Sequence, residues 1–169
     1  DVTELVFALG EVMLELGGID GGRDRLEEAI DSSAALQKLK DVAVAHGGDP
    51  SVLDDTELLA TASHQDTITA AEDGYVTRCD ALTIGLAATR LGAGRERKED
   101  EVDHGVGITL EAKVGHTVFK GDPVATVRFS DEAKWETQKD RLASAWSIGP
   151  DEPDCPPLII ERIDGSPGK

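Results

Sequence analysis

The sequence predicts an α+β protein: a short helical segment, then a small β-barrel-like domain with an inserted helix. Three observations predict it. Apolar residues recur at helical spacing through the first third of the chain. Beyond about Asp55 the pattern shifts to short runs of valine, isoleucine and threonine, separated by glycine-bearing turns. One alanine- and leucine-rich stretch, "DALTIGLAATRLGAG", interrupts those runs with helical character.

In the opening "DVTELVFALGEVMLELGG", Leu5, Leu9, Val12 and Leu16 share one helical face, with Val6 and Met13 beside them. Asp1 and Glu4 have the spacing of a capping box, and Gly17-Gly18 ends the helix. "RDRLEEAIDSSAALQKLKDVAVAHGG" reads as a short helix, a break near Ser32-Ser33 and a second helix ending at Gly47-Gly48. So few helices cannot bury their own apolar stripes, so residues 1–55 are expected to pack on a partner surface.

Residues 56–169 read as one α+β domain. "DTITAAEDGYVTRCD" is two β-rich runs around the turn Glu72-Asp73-Gly74. Asp80 has the position of an N-cap for the inserted helix Ala81 to Leu91, and Gly92 stands at its end. "GITLEAKVGHTVFKGDPVATVRFS" alternates over at least two strands, turning at Val114-Gly115-His116 and Lys120-Gly121-Asp122-Pro123. The hairpin "KVGHTVFKGDPVATV" is expected to fold back on itself as a small flattened barrel, the barrel-sandwich or hammerhead form. "SDEAKWETQKDRLASAW" is a helix, acidic at its N-terminus as the dipole prefers. Trp135 and Trp146, near three helical turns apart, are expected to anchor the core under one helix face. "PPLIIERI" is expected to add an edge strand after its two prolines, and the tail "DGSPGK" to be disordered.

Over 169 residues the net charge is −17, which argues against binding nucleic-acid backbones and against a strong free-standing phosphate site. With 39% hydrophobic and 30% charged residues the chain reads as globular. No apolar run approaches the roughly 18 residues of a membrane span, so no membrane partner is expected and the expected location is cytoplasmic. Cys79 and Cys155 form no CxxC and read as reduced structural thiols. His46, His64, His104 and His116 have no HxxxH or HExxH spacing, so no metal is expected. His104 and His116 read as solvated, and His46 as a partner of a helix C-terminus. Asp54-Asp55 and "KEDEVD" read as solvated acidic faces.

The stretch "RLGAGRERKEDEVDHGVG" carries the only candidate site. A phosphate cradle needs a strand before the glycines and a helix after. Here a helix precedes them, so Gly92 and Gly94 read as a helix end followed by a surface loop. Two readings stay open: a mobile connection, or a closure loop that orders when a neighbouring domain moves. In the second, Arg95 is the locking residue, because its planar fork suits a carboxylate or a backbone carbonyl.

Taken in order, "DVTELVFALGEVMLELGG", "AHGGD", "ITAAEDGYVTRCDALTIGLAATRLGAGR" and "VDHGVGITLEAKVGHTVFKGDPVATV" resemble the C-terminal part of the thymidine phosphorylase (pyrimidine-nucleoside phosphorylase) family. The likeness covers nearly the whole chain; His46 stands where the family usually has glutamine. It implies a homodimeric pentosyltransferase of pyrimidine salvage. The parent enzyme cleaves thymidine with phosphate to thymine and 2-deoxy-ribose 1-phosphate, using phosphate as co-substrate and no other cofactor. The family's Lys-His-Ser-Thr-Gly-Gly phosphate motif and its Arg…Ser…Lys base-gripping set are missing here. No catalytic residue is therefore expected in this chain, which is expected to be a piece of a longer protein and inactive alone. Its implied partners are the upstream phosphorylase domains, residues 1–55 packing on the α/β domain. An AMP phosphorylase-type relative is the near alternative. A biotinyl- or lipoyl-like carrier or binding module is the distant one, because "ITAAEDGYV" and "KVGHTVFKGDPVATV" share that glycine pattern. Where such a carrier presents its lysine, this chain has the lysine-free helix Ala81 to Leu91.

Overall fold

The computed structural model describes residues 1–163. The expected disorder of "DGSPGK" falls outside the described residues. The chain divides into two units, one of Asp1–Leu58 with the segment from Pro156 onward, the other of Leu59–Cys155.

The first unit holds helices α1 (Val2–Leu16), α2 (Gly22–Asp31) and α3 (Ala34–Ala45), followed by two short 3-10 turns. Asp1 caps α1, its carboxylate accepting from the Val2 amide. Glu4, the other member of the expected capping box, receives a two-pronged hydrogen bond from Arg23 on α2. That guanidinium also pairs with Glu27 and lies 5.0 Å over the Phe7 ring. Its hydrogen bonds, with its charge adding to the effect, hold the Glu4 carboxyl below the usual carboxylate range. Phe7 is the one buried residue among the described residues of this unit. Leu9, Met13 and Leu16 are 59%, 73% and 83% exposed, so the apolar stripe read from the sequence exists but lies largely uncovered.

The expected edge strand in "PPLIIERI" is not formed. Residues 159–163 adopt neither helix nor strand, and Arg162 is tied to Glu15 on α1 at 2.7 Å. A strand needs a neighbour to bond, and this unit offers only helices.

The second unit is α+β, with six strands: β1 (His64–Thr69), β2 (Gly74–Cys79), β3 (Gly107–Leu110), β4 (Thr117–Val118), β5 (Pro123–Phe129) and β6 (Trp146–Gly149). Helix α4 (Ala81–Ala88) is inserted between β2 and β3, and α5 (Glu132–Ala143) precedes β6. The strands form two separate antiparallel sheets, ordered β1-β5-β3 and β4-β2-β6, and not a closed barrel. Every successive strand therefore lies in the other sheet. The expected hairpin over "KVGHTVFKGDPVATV" is not one, since β4 pairs with β2 while β5 pairs with β1 and β3. The Gly121 amide donates to the Ala70 carbonyl at 2.9 Å, and the Ala70 amide to the Asp122 carbonyl at 2.8 Å. These bonds hold the Lys120–Pro123 turn as a crossing from sheet to sheet.

Both sheets and both helices feed one core. Val76, Val124, Val127, Ala87 and Leu142 are fully or almost fully buried. Trp135 and Trp146 are core anchors at 4% and 8% exposure, but not under one helix face. Trp135 lies on α5, stacks on Phe129 at 5.2 Å and donates its indole N–H to Asp66. Trp146 lies on β6 and donates to the Ala112 carbonyl at 3.0 Å. Periodicity cannot tell a helix that continues from one that ends and becomes a strand. Here α5 stops at Ser144, whose amide still bonds back to Asp140.

A candidate closure loop and the family it belongs to

The candidate loop grows out of α4. Asp80 accepts from the Leu82 and Thr83 amides, the expected N-cap. Those bonds hold its carboxyl below the usual range, with the Arg78 guanidinium adding to the effect. Ala87 and Leu91 pin the helix to the core. From Thr89 to Ala93 the chain widens into one π-helical turn, a feature often associated with functional bends. Gly92 sits there at φ +121°, in the region only glycine adopts freely. A Cβ on Gly94 would lie 3.0 Å from the Thr89 hydroxyl, so this glycine serves close backbone approach.

Beyond Gly94 two carboxylates organise the connection. Asp100 accepts from the amides of Glu96 and Arg97 at 3.0 and 2.8 Å, folding the tip back. At the return, the Asp103 amide donates to the Gly92 carbonyl at 2.9 Å, and the Asp103 carboxylate accepts from the Gly105 amide at 2.9 Å. The Ser130 hydroxyl also bonds Asp103 and contributes most to keeping its carboxyl below the usual range. The "KEDEVD" stretch is thus not merely a solvated face, because two of its acids hold backbone. The missed signal is the spacing of an aspartate three or four residues after, or two before, the amides it binds, the signature of local side-chain-to-backbone capping. His104, beside Asp103, is exposed.

The loop and α5 enclose a shallow hollow lined by Arg90, Gly92, Gly94, Arg97, Asp100 and Lys134, among others. Gly92 and Gly94 are thus brought together. Arg95 is not brought into that hollow; it points to solvent and has no ion pair or hydrogen bond among the described residues. Arg90 is matched by Glu96 at 3.3 Å. Acid and base alternate around this rim, which gives a loop able to exchange ion pairs and not a convergent anion site. Among the described residues no three His, Cys, Asp or Glu side chains gather as metal ligands, and both cysteines are free. No helix among them is long and apolar enough to cross a membrane.

An α+β module with an inserted helix leading into a carboxylate-held loop defines the class. Residues 75–149, from β2 through β6, match the pyrimidine nucleoside phosphorylase C-terminal domain. The chain is 37% identical over 163 residues to the thymidine phosphorylase of Mycobacterium tuberculosis, which covers 96% of this chain and 36% of that protein. It is 44% identical over 131 residues to the pyrimidine-nucleoside phosphorylases of Staphylococcus epidermidis and Bacillus subtilis, covering 75% of this chain and 30% of each of those proteins. The chain belongs to the thymidine phosphorylase/pyrimidine-nucleoside phosphorylase family. It spans about a third of the length of the curated relatives it matches.

Proposed function

We propose that this chain is the C-terminal, structural part of a cytoplasmic, homodimeric pyrimidine-nucleoside phosphorylase that cleaves thymidine with phosphate to thymine and 2-deoxy-ribose 1-phosphate. The observation that carries this is the likeness running through 96% of the chain to a thymidine phosphorylase nearly three times as long. Phosphate attack on the sugar carbon develops positive charge on the ribosyl ring and negative charge on the departing base. Fixed cations and amides must meet both. No such convergent set is built among the described residues, and in this reading the reactive groups belong to the upstream domains. Phosphate is the only co-reactant in this reading.

In this reading the helical unit packs on the upstream α/β domain, and the second unit carries the loop from Gly92 to Asp103 toward a cleft that closes over substrate. Closure aligns phosphate with the sugar and excludes water that competes with it. Arg95 is the locking group: it is exposed, and its guanidinium is not already committed among the described residues.

The test is phosphorolysis of thymidine by this chain alone and by the full-length protein that carries it. The expected result is no turnover from the chain alone and turnover from the full-length protein. Substantial activity of the isolated chain overturns the proposal. In the same assay, Arg95→Ala in the full-length protein is expected to lower kcat/KM by about tenfold or more, while the melting temperature stays within about 1 °C, since an exposed side chain without partners adds little stability.

A further inference from the structure

We propose that Leu158–Glu161 is an unpaired β-strand that completes a sheet edge in the upstream part of the same polypeptide, with α1 covering one side of it. This rests on the reading of the chain as the C-terminal part of a longer protein.

Two unmet requirements coincide in this segment. Leu158, Ile159 and Ile160 are 48%, 43% and 85% exposed, a continuous apolar run. Among the described residues the backbones of Leu158, Ile159, Ile160 and Glu161 make no hydrogen bond. An exposed apolar run with idle amides and carbonyls is the surface that sheet edges recruit. A groove between helices would satisfy the side chains and leave the backbone groups unpaired. Pro156 and Pro157 stand just before the run, where proline marks the start of a strand. Three apolar residues in succession, without alternation, suit a strand covered on both faces.

One cover is already in place. Leu5, Leu9 and Val12 of α1 line a groove together with Leu158, Ile159 and Ile160. The Arg162–Glu15 pair at 2.7 Å holds the segment along that helix. What is missing is the sheet. A unit in which Phe7 alone is buried has no core of its own to supply one. A second copy is a poor source: the chain carries −17, and Glu11 and Glu161 border the groove. The relatives place roughly two-thirds of their length outside the matched region, and that polypeptide is the occupant.

Hydrogen exchange read by mass spectrometry on the peptide spanning residues 157–163 tests this, in the full-length protein and in this chain alone. In the full-length protein the peptide is expected to exchange on the order of a hundredfold more slowly than in the isolated chain, where it exchanges as fast as an unstructured peptide. Fast exchange in the full-length protein overturns the proposal. Slow exchange in the isolated chain that weakens on dilution overturns it too, by assigning the edge to a second copy. Slow exchange in the isolated chain at every dilution likewise overturns it, since the partner then lies within this chain. Thymidine turnover measured on the same full-length sample keeps the two readings apart. Its absence sinks the enzyme assignment and leaves the exchange result to decide the strand.

Discussion

Replacing Gly74 with alanine is expected to destabilise the β-domain by about 2–6 kcal/mol, adding backbone strain to a steric clash. Gly74 opens β2 at φ +148°, and a Cβ there would lie 2.4 Å from the Gly149 carbonyl oxygen and 3.1 Å from Ile148 Cγ2. The oxygen belongs to β6, the neighbour that β2 must hold in register through Tyr75↔Gly149. Backbone cannot swing aside as a side-chain tip can, so relief comes only by prising the two strands apart. For a domain of roughly a hundred residues this lowers the melting midpoint by about 10–30 °C. Both tryptophans lie in this unit, so fluorescence reports its unfolding alone. Gly121→Ala is the control. Gly121 also has positive φ, at +94°, but a Cβ there meets nothing within 4 Å. It is expected to cost only the dihedral penalty of about 1–2 kcal/mol. Equal losses at the two glycines would show that the close approach to Gly149 contributes nothing.

Leu142→Ala is expected to cost about 2–5 kcal/mol, the range for emptying a packed leucine site. Leu142 is fully buried on α5, in the core shared with Val76, Val124 and Val127. Those neighbours belong to strands locked by ladder bonds, so the site cannot collapse to fill the void. Leu82, on α4 and 71% exposed, is the matched control; Leu82→Ala is expected to stay within about 0.5 kcal/mol. Urea denaturation followed by tryptophan fluorescence separates the two, and a Leu142→Ala midpoint within error of the parent would contradict the core described above.

What the sequence disclosed followed from local rules. Asp80 and Gly92 bound the inserted helix because capping and positive φ are decided within a few residues. Leu5, Leu9 and Leu16 could be placed on one stripe for the same reason. Partner choice was not local. Nothing in "KVGHTVFKGDPVATV" says that Thr117 pairs in register with Tyr75 while Pro123 pairs with Thr69. Adjacent runs joined by a glycine turn read as a hairpin unless the crossing bonds between Gly121, Asp122 and Ala70 are known. In the candidate loop, Gly92 and Gly94 were legible from their position after a helix. Asp100 and Asp103 were hidden in a run of charge, because a solvated acid and a capping acid look alike until the backbone turns around one of them. Trp146 was misplaced by a spacing that fits a helix and here spans a helix end and a strand.

The to-and-fro of the chain between its two layers has a consequence for assembly. Because β1, β3 and β5 form one layer while β2, β4 and β6 form the other, the two layers are laid down in alternation, the first complete at Phe129 and the second only at Gly149. No two consecutive strands belong to the same sheet. Until Trp146–Gly149 has been synthesised, β2 has only the two-residue β4 beside it. A ribosome-bound chain therefore lacks the closing strand of its second layer until Gly149 has emerged, and the long sequence separation between β2 and β6 slows that closure.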